Sequence, residues 1–286
     1  MHVLKAIRPL NLLILFITQI CAVYFLGFDN SWKDVVDVHH INLLSITQLC
    51  AVFGYLLNDV MDKKADEVNR PYAMHLSNSN DTKLAFLISI IAAGAALLLA
   101  FLWSYFLGVI ISAVVSLLFF YNCFFKRLPI IGNIIVALLG AFSIFIFKLF
   151  DPKINAGLIL MFSFNAFGIH LIREIIKDAE DSHGDAQAGY KTFTVVAGFK
   201  ATRYLIMGVT FLFILGYSTC LRIIMARYFT PPLTYVFLTY NILCVALPLF
   251  HLLASVQLAS QKSDYTYLSK VALYIMITGT LSMLFF

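Results

Sequence analysis

The feature that most constrains the fold is the distribution of charge along the chain. No Asp, Glu, Lys or Arg occurs between residues 84 and 125, and none occurs between residues 228 and 261. A membrane-crossing helix needs about 20 predominantly apolar residues, so each charge-free stretch is long enough for about two crossings. A water-soluble fold could not bury this much apolar surface, since 61% of the residues are hydrophobic and 12% are charged. The sequence therefore predicts an integral membrane protein.

The other apolar stretches extend this prediction to an all-α, polytopic membrane bundle with nine transmembrane helices. Pro129 and the pair Pro231-Pro232 mark helix starts, because the first N–H groups of a helix have no intrahelical partner. The first apolar run is too long for a signal peptide, so we expect it to be a retained helix. The nine predicted spans are about 9–28, 38–60, 82–102, 104–125, 130–150, 154–178, 201–222, 231–257 and 267–286.

Lysine and arginine predict the orientation of these spans, because cytoplasmic loops carry an excess of both residues. With nine spans, the N-terminus shares one side with the loops after the second, fourth, sixth and eighth helices. Fifteen of the 20 Lys and Arg residues lie on or near that side, and five lie on the other. We therefore expect a multi-pass protein of a bacterial-type inner membrane, with the N-terminus and the active-site loops in the cytoplasm.

A first acidic cluster follows the second predicted helix and comprises Asn58, Asp59, Asp62 and Asp66. At about 100° per residue, these four side chains fall within an arc of about 100° on one helical face. Like charges at this spacing repel each other, and no Lys or Arg lies within the arc. A bound cation would relieve the repulsion, and carboxylate and amide oxygens are ligands that Mg²⁺ prefers.

A second acidic cluster follows the sixth predicted helix and comprises Glu174, Asp178, Asp181 and Asp185. If the segment is helical, these carboxylates fall within an arc of about 60°, although a helix break at Gly184 would remove Asp185 from it. One such cluster would be explained by a solvated loop. Two clusters at equivalent helix ends favour a functional role, because ionisable groups at membrane depth usually mark functional sites.

The residue types and spacing of both clusters resemble the signatures of the UbiA superfamily of intramembrane prenyltransferases. The first cluster is similar to that family's NDxxDxxxD motif, and Asp181 with Asp185 is similar to the DxxxD core of its second motif. The resemblance covers nearly the whole chain. Further similar segments are Arg8-Pro9 with Asn11, Asn69-Arg70-Pro71, Lys126-Arg127 and Gly189-Tyr190-Lys191-Thr192.

This resemblance implies one transmembrane prenyltransferase domain over residues 1–286, with loops 61–81 and 179–200 forming a cytoplasmic active-site cap. It implies that Mg²⁺ ions join the motifs to a prenyl diphosphate. Cationic side chains would then neutralise the leaving diphosphate, and a carboxylate would accept the acceptor's proton. The expected metal ligands are Asn58, Asp59, Asp62 and Asp66 for one ion and Asp181 and Asp185 for a second; the expected diphosphate-binding residues are Arg70, Lys126 and Lys191; the expected catalytic residues are Asp178, Lys126 and Glu174.

The possible activities of the protein differ mainly in which molecule, if any, accepts the prenyl group. The sequence at residues 173–178 most resembles that of members which prenylate a glycerol-phosphate ether such as geranylgeranylglyceryl phosphate, so we favour that acceptor. An aromatic quinone precursor and a terpene cyclase that needs no acceptor are the enzymatic alternatives. A cation-coupled carrier is disfavoured, because carriers place such groups near the bilayer midplane. The expected partners are prenyl diphosphate, a lipophilic or aromatic acceptor and membrane lipids, with no nucleic acid.

Overall fold

The computed structural model describes residues 2–27, 32–69, 76 and 78–286, and it confirms the helical membrane bundle. In the described part of the chain, eight helices are long and apolar enough to cross a membrane, and a ninth, Pro9–Phe25, has 17 residues. The long helices are α1 (Pro9–Phe25), α2 (Val38–Met61), α3 (Ser79–Trp103), α4 (Tyr105–Cys123), α5 (Ile131–Phe150), α6 (Ala156–Gln187), α7 (Phe193–Tyr228), α8 (Leu233–Leu258) and α9 (Lys262–Leu281).

An extended residue or a proline lies at several of the predicted boundaries between these helices. The backbone is extended at Ser104 (φ −158°, ψ 134°), and this single residue separates α3 from α4. α5 begins two residues after Pro129 and α8 begins directly after Pro232, in agreement with the prediction from proline. α8 also contains one π-helical turn, Ile242–Ala246.

The ends of α6 and α7 differ from their predicted positions. α6 continues beyond residue 178 to Gln187, so Gly184 lies inside a helix and does not end it. α7 begins at Phe193 and kinks at Gly198, whose φ of 79° and ψ of 167° are not helical. The predicted spans 154–178 and 201–222 followed the apolar runs and left out the more polar segments 179–187 and 193–200. A helix that projects beyond the apolar layer needs no such limit, because water or polar groups can surround its polar end.

The first acidic motif also departs from the single helical face that was expected. α2 ends at Met61, Asp62 lies at the junction, and a short helix, Lys63–Asn69, follows. The backbone N–H of Asp62 donates to the Asn58 carbonyl at 2.9 Å, and that of Asp66 donates to the Asp62 carbonyl at 2.9 Å. The four-residue spacing therefore survives, although the helix itself is interrupted.

The chain divides into two compact units. The first comprises Met1–Ile20, Trp32–Ile135 and His183–Thr192, and the second comprises Cys21–Ser31, Val136–Ser182 and Phe193–Phe286. In the first unit, small residues of α3 such as Ala92 pack beside Phe53 and Leu57 of α2, an arrangement that lets membrane helices approach closely. The core of the second unit contains the fully buried Leu252 and Tyr265. The expected single domain stays a prediction.

Candidate active site

Arg8 anchors the beginning of the first motif. It lies between the helix His2–Ala6 and α1, with a positive φ of 56°. Its Nη2 donates to Asp59 Oδ1 at 2.6 Å and to Asn58 Oδ1 at 3.1 Å. The guanidinium also lies over the Tyr55 ring, 5.3 Å from its centroid. Two of the four expected metal ligands are thus held by one arginine.

Asp62 is contacted on both of its carboxylate oxygens. The Tyr190 hydroxyl donates to Oδ1 at 3.1 Å, and the Lys126 ammonium forms an ion pair with Oδ2. Lys126 comes from the 3₁₀ turn Phe125–Arg127 that directly follows α4. Asp62 is itself buried. Burial raises the strength of both contacts, because few water molecules compete for the carboxylate.

Tyr190 connects the two sequence motifs within the first unit. Its amide N–H donates to the Asp185 carbonyl at 2.8 Å, and the Arg127 guanidinium lies 5.2 Å from the centroid of its ring. Burial raises the pKa of the Tyr190 hydroxyl; the Arg127 cation lowers it, and the negative charges of Asp185 and Asp66 raise it further. The hydroxyl therefore stays protonated and can donate to a carboxylate.

A second connection joins Asn69 to Gly184. The Gly184 N–H donates to Asn69 Oδ1 at 2.9 Å. A Cβ at residue 184 would lie 2.5 Å from the amide group of Asn69 and 2.6 Å from the Ala65 carbonyl oxygen. Glycine is therefore required by a close approach between the end of α6 and the helix Lys63–Asn69. This contact places Asp185 beside the first motif.

In the second unit, α6 carries the predicted catalytic carboxylates. Arg173 Nη1 lies 3.3 Å from Glu174 Oε1, and Lys177 Nζ lies 3.8 Å from the same oxygen. Asp178 and Asp181 are half-buried on the following turns of this helix. Because α6 is continuous to Gln187, Asp181 and Asp185 are one helical turn apart.

The remaining predicted residues are placed as follows. Lys191 is exposed, and its amide N–H donates to the Arg127 carbonyl at 3.0 Å. Arg70 lies outside the described residues. Sequence reasoning assigned no role to Arg8 or Tyr190, although the Arg-Pro and Gly-Tyr-Lys segments that contain them were the available signals.

The residues of the first motif fit a hard divalent cation by their chemistry. Oxygen atoms from three carboxylates and one amide match the ligands that Mg²⁺ takes. Two of these carboxylates already face a positive charge, Asp59 from Arg8 and Asp62 from Lys126. Among the described residues, no three His, Cys, Asp or Glu side chains are grouped closely enough to bind a metal in this conformation.

A bundle of membrane-length helices with paired carboxylates and cations at a helix end defines an integral membrane protein with a polar site. The UbiA prenyltransferase family model matches residues 20–274. The chain therefore belongs to the UbiA prenyltransferase family.

Similar proteins agree with this assignment. Digeranylgeranylglyceryl phosphate synthase from Methanospirillum hungatei is 36% identical over 160 residues, which span 53% of this chain and 55% of that protein. The synthase of the same name from Korarchaeum cryptofilum is 26% identical over 90% of both chains. Among solved structures, a UbiA homolog from Archaeoglobus fulgidus bound to GPP and Mg²⁺ has a TM-score of 0.67 at 14% identity, over 99% of both chains. This last likeness supports the fold.

Proposed function

We propose that this protein transfers a prenyl group from an allylic prenyl diphosphate to a lipophilic acceptor in a Mg²⁺-dependent reaction. The observation that carries the proposal is the pairing at Asp59 and Asp62, where buried motif carboxylates face Arg8 and Lys126. Alternating carboxylates and cations are what a site for a metal-bound diphosphate requires. Family membership supports the proposal, as does the Archaeoglobus homolog with GPP and Mg²⁺ bound.

The metal assignments follow the two motifs. Asn58, Asp59, Asp62 and Asp66 would hold one Mg²⁺, and Asp181 and Asp185 would hold a second. Bound Mg²⁺ would neutralise the charge that develops on the departing diphosphate.

The diphosphate would also contact basic side chains of the chain. Lys126 is the best supported of these, because its ammonium already lies at a motif carboxylate and can reach an anion bound there. Lys191 and Arg70 are the other proposed contacts. Tyr190 keeps Asp62 oriented through its hydroxyl.

The proposed transfer breaks the bond between the allylic carbon and the diphosphate oxygen, and the electron pair leaves with diphosphate. The acceptor hydroxyl oxygen forms the new bond to the allylic carbon. Its proton passes to a carboxylate, for which Glu174 and Asp178 are the candidates. The apolar helices would house the prenyl chain and exclude water from the cation-like carbon.

We further propose that the acceptor is a glycerol-phosphate ether such as geranylgeranylglyceryl phosphate. The names of the relatives support this choice, as does the sequence at residues 173–178. The excess of Lys and Arg on one side supports a cytoplasmic N-terminus and cytoplasmic active-site loops. An aromatic acceptor is the second candidate.

The test is a product assay with purified protein, Mg²⁺ and geranylgeranyl diphosphate, using mass spectrometry and a panel of glycerol-phosphate ethers and aromatic acids. We expect prenylated glycerol phosphate and diphosphate in equal amounts, only when all components are present. Asp62→Asn and Asp181→Asn should abolish the product. Asp81→Asn, the same change in the first turn of α3, should not.

Other outcomes would identify the alternatives. Cyclic hydrocarbons formed without an acceptor would indicate a cyclase. A prenylated aromatic acid would indicate that the acceptor is aromatic and is not a glycerol-phosphate ether. Substrate flux into proteoliposomes with no product would indicate a carrier. Full activity of Asp62→Asn would refute the metal assignment.

A further inference from the structure

Two cations on α6 are not accounted for by the diphosphate site. Arg173 and Lys177 both face one carboxylate oxygen of Glu174, at 3.3 and 3.8 Å. The three side chains are 18%, 23% and 14% exposed, respectively. Two positive side chains therefore lie next to each other at one carboxylate oxygen, in a mostly buried environment. Adjacent cations of this kind can bind one anion together.

Arg173 also has an unused donor. Its Nε is buried and has no hydrogen-bond partner in the part of the chain that the structure describes. A buried donor of a charged group is rarely left unpaired, because losing its water without replacement is costly. The planar guanidinium suits an anion that offers several oxygens in fixed geometry, such as a carboxylate or a phosphate, and the carboxylate of Glu174 already occupies Nη1.

The position of Arg173 separates this anion from the diphosphate. Asp181 is eight positions after Arg173 along one continuous helix, which corresponds to about 12 Å at 1.5 Å per residue. The proposed metal ligands Asp181 and Asp185 thus lie toward the polar end of α6, and Arg173 lies closer to the apolar part. A diphosphate held at Asp181 and Asp185 would therefore lie about two helical turns from Arg173.

We propose that Arg173 and Lys177 form the binding site for the phosphate of the acceptor, a phosphomonoester on a glycerol ether. This inference rests on the proposed function and names the group that selects its acceptor. A glycerol phosphate carries its free hydroxyl within a few bonds of the phosphate. Anchoring the phosphate at Arg173 brings that hydroxyl to Glu174, which lies beside both cations and can take the proton.

The test compares an alkylglycerol phosphate with the matched alkylglycerol that lacks the phosphate. Wild-type protein should prefer the phosphorylated acceptor. Arg173→Gln and Lys177→Gln should each raise the acceptor KM by roughly 10- to 100-fold, the worth of a charge-assisted contact, and leave the prenyl diphosphate KM unchanged. Arg173→Lys should restore part of the effect. Lys270→Gln, at an exposed lysine of α9, is the control for loss of charge.

Direct binding separates this inference from the proposed function. Titration calorimetry without prenyl diphosphate should detect alkylglycerol phosphate binding to wild type and Lys270→Gln, and much weaker binding to Arg173→Gln, in protein that elutes and unfolds like wild type. Transfer activity with an unchanged acceptor KM in Arg173→Gln would overturn the inference and leave the function intact. A rise in the prenyl diphosphate KM alone would assign Arg173 to the donor. No transfer to any acceptor by wild type would instead refute the function.

Discussion

Replacing Gly184 by alanine tests how the two motifs are held together. The new Cβ would lie 2.5 Å from the Asn69 side chain and 2.6 Å from the Ala65 carbonyl oxygen, whereas ordinary contact begins at 3.4 Å. Asn69 can rotate away, but the Ala65 oxygen belongs to the backbone. Either α6 or the helix Lys63–Asn69 must therefore move by most of 1 Å.

The expected energies can be compared with a second Gly→Ala change. Alanine in place of a helical glycine is worth about 1 kcal/mol in favour of folding. Overpacking costs about 1–3 kcal/mol, and loss of the hydrogen bond between Gly184 and Asn69 costs about 1 kcal/mol more. Gly184→Ala should therefore be destabilising by about 1–3 kcal/mol. Gly94→Ala, where a Cβ meets nothing within 4 Å, should be neutral or slightly stabilising.

Two measurements follow from this difference. Thermal unfolding in detergent should show a lower midpoint for Gly184→Ala than for Gly94→Ala. The Mg²⁺ concentration that gives half-maximal prenyl transfer should rise for Gly184→Ala alone, because Asp185 and Asp66 flank the displaced contact. If both variants match wild type in both measurements, the close approach is not what positions the motifs.

Three further predictions concern single contacts. Tyr190→Phe removes a hydrogen bond to the buried Asp62 carboxylate; transfer should fall by roughly 10-fold at low Mg²⁺, and recovery at high Mg²⁺ would show that metal affinity is what changed. Arg8→Ala leaves a buried carboxylate without its cation, so the unfolding midpoint should fall sharply, and Arg8→Lys should restore only part of it. Gly198→Ala should be destabilising by about 1–3 kcal/mol, because its φ of 79° is strained for alanine, whereas Gly208→Ala in the same helix should not be destabilising.

The helices could be predicted because the features that determine them lie in the same stretch of sequence as the helix itself. Charge-free runs set their length, and Pro129 and Pro231-Pro232 set two of their starts. The sequence left open whether α6 continues through Gly184, and the structure shows that it does. The contact between Gly184 and Asn69 could not be predicted, because Asn69 is 115 residues away in sequence.

The motif carboxylates were predictable as a group, but their partners were not. Helical periodicity relates residues three or four apart. Lys126 reaches Asp62 from 64 residues away, and Tyr190 reaches it from 128 residues away. Repulsion among the carboxylates of this face requires a positive charge nearby. The structure supplies positive charge from Arg8 and Lys126, which periodicity within the motif could not identify.

Lys126 allows a test of whether protein cations and metal compete for the same carboxylates. Its ammonium pairs with Oδ2 of Asp62, a proposed Mg²⁺ ligand. A metal ion and the ammonium would therefore compete for that oxygen. Lys126→Met should therefore tighten metal binding, measured with Mn²⁺ by electron paramagnetic resonance in the absence of prenyl diphosphate. Prenyl transfer should nevertheless fall by at least about 10-fold, because the diphosphate loses a cationic contact.

The exposed Lys64, on the short helix Lys63–Asn69, provides the matched control. Lys64→Met removes a charge close to the motif in sequence and should change metal affinity much less than Lys126→Met does. The opposite result, weaker Mn²⁺ binding in Lys126→Met, would mean that the ammonium organises the carboxylates for the metal and does not compete with it. Tighter metal binding combined with slower transfer would indicate that the Lys126 ammonium moves from Asp62 to the diphosphate when the prenyl diphosphate binds.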